Sequence, residues 1–140
     1  MKIMYKTTAV SVGGRDGQVS VENVPIRFEM ALPADMGGTK AVGLNPEQLF
    51  AAGYSACFGS AVQHVLKLKR LKLDAPEVHT TVGIGRNDAG GFQLAVEITV
   101  VFTGIEQAQA DEIAAEAHKV CPYSNATRVN IDVSVSAKVA

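Results

Sequence analysis

Residues 45–69 constrain the fold of this chain most, because a helix start is followed there by a long run with almost no polar side chains. Asn45 can cap the helix, Pro46 suits its first position, and Gln48 stands three residues after the cap, as in a capping box. Between residues 49 and 65 nearly every side chain is apolar or small. A helix of this kind has no wide polar face, so it must be covered on most sides. We predict that it is the central element of the fold and that it ends between residues 71 and 74.

Alternating apolar residues predict strands on both sides of this helix. A glycine-rich turn at residues 13–17 separates the first two strands, and residues 86–91 carry a hairpin signal. A second helix is predicted over residues 106–119. The predicted strands cover residues 3–12, 19–21, 26–32, 78–84, 92–102 and 131–139. The order β-β-β-α-β-β-α-β predicts an α+β fold in which antiparallel sheets pack against helices.

The length of 140 residues and the hydrophobic content of 47% suit a single domain over residues 1–140. One sheet cannot cover a helix that is apolar nearly all round. A second copy of the chain is the simplest additional cover, so we predict an intimate twofold homodimer.

Several classes of protein are disfavoured by composition. No apolar run approaches the length of a membrane span, and the N-terminus has no signal-peptide core, so we expect a cytoplasmic protein. The net charge of −1 gives no general attraction to nucleic acid or to anionic lipid. Because the cytosol keeps ordinary thiols reduced, the two cysteines are either a working redox pair or two buried bystanders.

Cys57 lies within the central helix and is the first candidate for chemistry. A cysteine with the usual pKa of about 8.5 is only about 3% thiolate at neutral pH. In a continuous helix Cys57 is beyond the reach of the dipole at the N-terminus, whereas a break at Gly53 would create a new N-terminus nearby. If the helix is continuous, a reactive Cys57 needs a cation from elsewhere in the chain.

Three further residues are candidates for partners of Cys57, each with a simpler alternative. Arg15 lies in the glycine-rich turn and could supply the cation, although an exposed hairpin tip is the simpler interpretation. Glu47 could hold Arg15, or it could only complement the helix dipole. Cys121 could resolve an oxidised Cys57, or it could be a small core residue. His118 does not complete a recognised zinc spacing with the cysteines.

Three motifs resemble one known family. They are NPEQLFAAGYSACF around Cys57, VCPYSNAT around Cys121 and GGRDGQVSVE around Arg15. Together they resemble the organic hydroperoxide resistance proteins, within the superfamily of osmotically inducible protein C. The similarity runs over essentially the whole chain. Val129 stands where the family pattern usually has glycine.

This resemblance implies a fold, an activity and a set of roles. It implies an intertwined homodimer in which two long central helices are wrapped by sheets from both subunits. It implies a thiol-dependent peroxidase that prefers organic hydroperoxides, including lipid-derived ones, and is recycled by dihydrolipoyl groups of lipoylated proteins without metal, haem or flavin. By the matching motifs, Cys57 would be the peroxidatic cysteine and Cys121 the resolving one. Arg15 would be the partner of thiolate and peroxide, and Glu47 would hold Arg15.

Two alternatives belong to other classes. A hot-dog thioesterase also wraps a helix in a sheet within a dimer, and Glu47 could then activate water while both cysteines were irrelevant. A redox sensor or ligand-binding dimer could use the same thiols without turnover. Neither the charge balance nor any motif supports DNA binding by such a sensor.

Overall fold

The computed structural model describes residues 1–140 and has an α+β fold, as predicted. The chain forms two compact units, Met1–Leu49 and Phe50–Ala140. None of its helices combines the length and the hydropathy that a membrane crossing requires.

The first unit is built on a small antiparallel sheet of β1 (Ala9–Val12), β2 (Gln18–Val21) and β3 (Arg27–Glu29). A short 3-10 turn, Gly14–Asp16, joins β1 to β2, and another, Ala34–Met36, follows β3. The prediction that the first strand begins at residue 3 is wrong. Strand β2 ends at Val21, the partner of Ala9, and the chain then turns away, so residues before Thr8 have no strand to pair with.

The long helix α1 (Pro46–Leu68) begins with the predicted capping box. The Gln48 backbone N–H donates to Asn45 Oδ1 at 2.8 Å, and the Asn45 N–H donates to Gln48 Oε1 at 2.9 Å. Helix α1 is continuous, so the alternative with a break inside it is wrong.

The end of α1 lies at Leu68, earlier than the predicted residues 71–74. Arg70 adopts a left-handed φ of 57°, and its N–H donates to the Lys67 carbonyl at 3.1 Å. The Leu71 N–H donates to the Leu66 carbonyl at 3.0 Å. These two bonds form a Schellman motif, which satisfies the last carbonyls of the helix and turns the chain.

The second unit contains a three-stranded sheet and two further helices. Strands β4 (Glu77–Arg86) and β5 (Phe92–Phe102) form the predicted antiparallel hairpin. Strand β6 (Asp132–Val139) pairs with β5 in parallel, so the prediction of purely antiparallel sheets is wrong here. The crossover contains α2 (Gln107–Val120) and α3 (Pro122–Thr127), and such a helical crossover is the usual connection between parallel strands. Helix α3, only six residues long, was not predicted.

The core of this unit lies between α1, α2 and the sheet. Strand β5 contributes alternate side chains, and α2 contributes alanines that let it pack closely. The buried residues are Tyr54, Phe58, Ala61, Val62, Val65, Leu66, Val96, Ile98, Val100, Phe102, Ala110, Ile113, Ala114, Ala117, Cys121 and Ala137. Cys57 packs against the edge of this cluster, so both cysteines are positioned by the same core.

Candidate active site

The two cysteines, far apart in sequence, lie next to each other in the structure. The Cys121 Sγ is 3.7 Å from the Cys57 Sγ, within hydrogen-bonding distance for a thiol and a sulfur acceptor. Both are free thiols; Cys57 is half-buried and Cys121 is buried. A disulfide has an S–S length of about 2.05 Å, so its formation needs the sulfurs to approach by roughly 1.6 Å.

Cys121 is held at the junction of two helices. Its N–H donates to the Ala117 carbonyl at 2.9 Å, and its carbonyl accepts from the Asn125 N–H at 2.9 Å. Pro122 follows at the first position of α3, and Cys121 has the extended ψ of 124° expected before a proline. The predicted position at the exit of the second helix is therefore confirmed.

The environment of Cys57 disfavours its thiolate. Burial raises the pKa of the Cys57 thiol, and the backbone N–H of Tyr123 opposes this rise through a hydrogen bond. Because α1 is continuous, its N-terminal dipole does not reach Cys57. A nucleophilic Cys57 therefore still needs positive charge from another side chain.

Arg15 and Glu47 form a bidentate ion pair within the first unit. Arg15 Nη1 donates to Glu47 Oε2 at 2.7 Å, and Nη2 donates to Oε1 at 2.6 Å. The side chains are 33% and 12% exposed, so Arg15 is more than an exposed hairpin tip. The hydrogen bonds raise the pKa of Arg15 and lower the pKa of Glu47, which keeps both groups charged.

The turn that carries Arg15 is tightly built. A Cβ at Gly17 would lie 1.7 Å from the Val12 carbonyl oxygen, so only glycine fits this close approach. Lys40 Nζ donates to the Asp16 carbonyl at 2.6 Å and to the Met30 carbonyl at 3.0 Å. The tight backbone packing and the two hydrogen bonds from Lys40 therefore fix the backbone from which the Arg15 side chain extends.

Three aromatic side chains on α1 and α3 pack against one another. The Tyr123 ring is 5.5 Å from the Tyr54 ring and 6.0 Å from the Phe50 ring, centroid to centroid. A Cβ at Gly53 would lie 3.1 Å from the Tyr123 hydroxyl, so Gly53 lets this ring lie close to α1. Tyr123 is 39% exposed and Phe50 is partly buried, so both rings offer accessible apolar surface, and the backbone N–H of Tyr123 is hydrogen-bonded to the Cys57 sulfur.

Sequence reasoning missed a set of hydrogen-bonded polar residues on the three helices that carry or flank the two cysteines. Tyr54, Ser124 and Thr127 join their hydroxyls in the core, and His118 bonds to Ser124. One signal was available in the sequence: Tyr54 stands three residues before Cys57, while His118 and Ser124 stand three residues on either side of the second cysteine. The structure shows no group of three His, Cys, Asp or Glu residues placed to hold a metal ion.

The family of the chain follows from comparison with known proteins. The model of the OsmC-like protein family matches residues 37–136. The chain belongs to this family. Its match covers well over half of the sequence, including both cysteines and Glu47.

Relatives of this OsmC-like chain carry a consistent name. The organic hydroperoxide resistance protein-like 2 of Staphylococcus saprophyticus is 42% identical over 99% of each chain. The organic hydroperoxide resistance protein of Xanthomonas axonopodis pv. citri is 40% identical over 96% of this chain and 95% of that protein. A crystal structure of an organic hydroperoxide resistance protein from Elizabethkingia anophelis superposes with a TM-score of 0.95, at 43% identity and with 100% of both chains covered. The resemblance predicted from the three motifs is confirmed.

Proposed function

We propose that this OsmC-like chain detoxifies organic hydroperoxides, with Cys57 as the attacking thiol and Cys121 as the resolving thiol. The chain is a cysteine-based peroxidase, an enzyme class supported by relatives named for organic hydroperoxide resistance. The observation that carries the assignment of residues is the separation of 3.7 Å between the two free sulfurs. Two cysteines without a joint role would not need to lie in contact, so this distance favours a working pair.

The proposed cycle has three balanced steps. The Cys57 thiolate attacks one peroxide oxygen of ROOH, the O–O bond breaks, and RO⁻ takes up a proton and leaves as an alcohol. Cys57 is then a sulfenic acid, which the Cys121 thiol attacks to form a disulfide and release water. An external dithiol, which we propose is a dihydrolipoyl group of a lipoylated protein, reduces this disulfide and is itself oxidised to a disulfide. The cycle needs no metal or prosthetic group.

Arg15 and Glu47 have complementary roles in this proposal. Because burial raises the pKa of Cys57, the thiolate needs a cation, and the guanidinium of Arg15 can supply one. Ionisation alone would increase the thiolate fraction by at most about 30-fold. Arg15 therefore also orients the peroxide and stabilises charge on the departing oxygen. Glu47 fixes the orientation of the Arg15 guanidinium by accepting two hydrogen bonds from it.

We attribute a preference for organic hydroperoxides to the accessible rings of Tyr123, whose backbone N–H is bonded to Cys57, and Phe50. The organic group of a substrate can bury apolar area against Tyr123 and Phe50, at roughly 25 cal/mol per Å². Hydrogen peroxide has no such group, so it gains nothing from this surface.

We further propose that the chain works as a homodimer in the cytoplasm. Several large apolar side chains are exposed in the single chain, among them Met4, Val12, Val42 and Leu68. A second copy of the chain is the cover that we propose for these side chains. Sedimentation equilibrium should give twice the mass of the chain, and a monomer at micromolar concentration would contradict this.

The decisive experiment treats reduced protein with one equivalent of cumene hydroperoxide and analyses it by intact mass and thiol titration. We expect loss of two hydrogens and of both titratable thiols, with a tryptic peptide that joins Cys57 to Cys121. Cys57→Ser should consume no peroxide, and Cys121→Ser should consume one equivalent and then stall as a sulfenic acid. Steady turnover by either variant would refute the role of that cysteine. A thioesterase would give no disulfide.

A further inference from the structure

A continuous chain of polar side chains, buried except for the partly exposed His118, links the helices around the cysteine pair and has no role in the proposed cycle so far. His118 Nδ1 is 2.9 Å from Ser124 Oγ, which is 3.0 Å from the Tyr54 hydroxyl. The Tyr54 hydroxyl is 3.1 Å from Thr127 Oγ1. Tyr54 and Ser124 have no exposed surface, and Thr127 is nearly buried. Such groups are costly inside a core unless every one of them is hydrogen-bonded.

Counting protons fixes the direction of this chain. Thr127 Oγ1 lies 2.9 Å from the Tyr123 carbonyl oxygen, which can only accept, so Thr127 donates there. Each hydroxyl has one proton, so Thr127 must accept from Tyr54, and Tyr54 must accept from Ser124. Ser124 then accepts from His118, whose Nδ1 must carry a hydrogen. The opposite direction would leave two acceptor oxygens facing each other at 2.9 Å.

The chain connects the elements that hold the two sulfurs. Tyr54 lies on α1, one turn before Cys57. Ser124 lies on α3 and His118 on α2, each three residues from Cys121. A displacement of α1 against α3 by a fraction of an ångström would break the bond between Tyr54 and Ser124, and it would also change the separation of the sulfurs.

We propose that the His118–Ser124–Tyr54–Thr127 chain positions the two cysteines for disulfide formation. This inference rests on the proposed function. It assigns a positioning role, because none of the four side chains touches the reacting atoms. By keeping the sulfurs close, the chain lets Cys121 capture the Cys57 sulfenic acid with release of water. The competing reaction is attack of the sulfenic acid on a second hydroperoxide, which gives a sulfinic acid and one more alcohol.

The test measures the ratio in which the Cys57 sulfenic acid is converted to the disulfide or to the sulfinic acid. Tyr54→Phe removes one oxygen and keeps the ring, and Thr127→Val removes a hydroxyl at nearly constant volume. Each reduced variant is freed of dithiol and given rising cumene hydroperoxide, and disulfide and sulfinic acid are quantified by intact mass. We expect the peroxide concentration that gives half sulfinic acid to fall about tenfold, since one buried hydrogen bond orients the reacting pair. The rate at which Cys57 is first oxidised should change less than about twofold.

Matched variants separate positioning from a general loss of structure. Thr127→Ser keeps the hydroxyl and should restore the wild-type ratio of disulfide to sulfinic acid. Tyr5→Phe removes a phenolic oxygen from an exposed tyrosine and should leave the ratio unchanged. If Tyr54→Phe does not fold, the Thr127→Val and Thr127→Ser pair decides the question.

The outcomes distinguish this inference from the proposed function. A wild-type protein that forms no disulfide would overturn both. The positioning role alone would be overturned if wild type forms the disulfide and folded Thr127→Val gives the same ratio of disulfide to sulfinic acid as wild type. Nitrogen-15 NMR of the histidines, with His118→Gln for assignment, should show a hydrogen on His118 Nδ1. A bare Nδ1 would overturn the direction derived above.

Discussion

The two units of the chain hold their reactive groups in different ways. In Phe50–Ala140 the cysteine pair lies at a closed core of side chains from two helices and a sheet. In Met1–Leu49, Arg15 lies in the turn between β1 and β2, Glu47 lies in the first turn of α1, and only Met30 and Ala31 are buried apolar residues. The separation of the sulfurs is thus fixed by packing, whereas the position of the guanidinium is fixed by one turn and one ion pair. Substitutions in the two units should therefore affect stability and activity differently.

The largest expected effect is on stability in the second unit. Ile98 is 1% exposed on β5, so Ile98→Ala should lower the free energy of unfolding by about 2–5 kcal/mol through lost burial and a cavity. The matched change Ile26→Ala affects a residue that is 51% exposed, and should cost less than about 1 kcal/mol. Urea unfolding followed by circular dichroism measures both. Equal losses would mean that Ile26 is covered in solution, as in a dimer.

The second-largest expected effect is a loss of activity from a substitution in the first unit. Gly17→Ala places a methyl 1.7 Å from the Val12 carbonyl, so the turn that carries Arg15 must shift. A displacement of about 1 Å can cost about 100-fold in rate, and we expect a loss of that order in kcat/KM for cumene hydroperoxide. Gly85→Ala on β4 is the control, because its methyl meets no atom within 4 Å and its backbone is not in the left-handed region. An unchanged rate in Gly17→Ala would argue against a role for the turn.

A smaller effect on activity is expected from Glu47→Gln. The change weakens the partly exposed ion pair that orients Arg15. A hydrogen bond to a charged group contributes about 1.5–3 kcal/mol, and the lower end of this range corresponds to a loss of about tenfold in kcat/KM. Glu29→Gln changes an exposed partner of Gln18 on β3 of the same unit and should have no effect. Equal rates in the two variants would contradict the proposed role of Glu47.

The same ion pair gives a dependence of stability on pH. Arg15 lowers the pKa of Glu47 below its ordinary value of 4.5, so the stabilisation is fully present above that value and is lost as the pH falls through the lowered pKa. The difference in unfolding free energy between wild type and Glu47→Gln should therefore be constant at neutral pH and shrink in acid below 4.5. Urea titrations over this range measure it, and a difference that grows in acid would contradict the lowered pKa.

Local features of the fold could be predicted from sequence because their causes are local. The capping box at Asn45 and Gln48 needs only residues within one turn, and the β4–β5 hairpin needs only alternation and a turn. The end of α1 was misplaced because Arg70, a residue that seldom adopts a left-handed conformation, replaces the usual glycine signal. The parallel pairing of β6 was missed because it depends on where the crossover returns the chain.

The site shows the same limit. The chemistry of Cys57 and its need for a cation could be argued from residue types, but its distance from Cys121 is set by packing across the whole second unit. The motifs supplied that expectation through resemblance. The spacing of Tyr54 and Ser124 from the cysteines does not by itself indicate that they share a hydrogen bond, since a tyrosine in an apolar run is typical of an ordinary core position.

The smallest effect is expected at an exposed residue in the well-packed second unit. Val129 has a φ of 56°, a left-handed conformation that is strained for a β-branched side chain, and the family pattern usually has glycine there. Val129→Gly should relieve about 1–2 kcal/mol of backbone strain in the folded protein. Glycine also makes the unfolded chain more flexible, which offsets part of this gain, so the free energy of unfolding should rise by about 1 kcal/mol. Val120→Gly, at the last residue of α2, has no such strain and should instead destabilise by about 0.5–1 kcal/mol. Thermal unfolding of both variants measures the difference, and a loss of stability in Val129→Gly would mean that the valine makes a contact in solution that offsets its backbone strain.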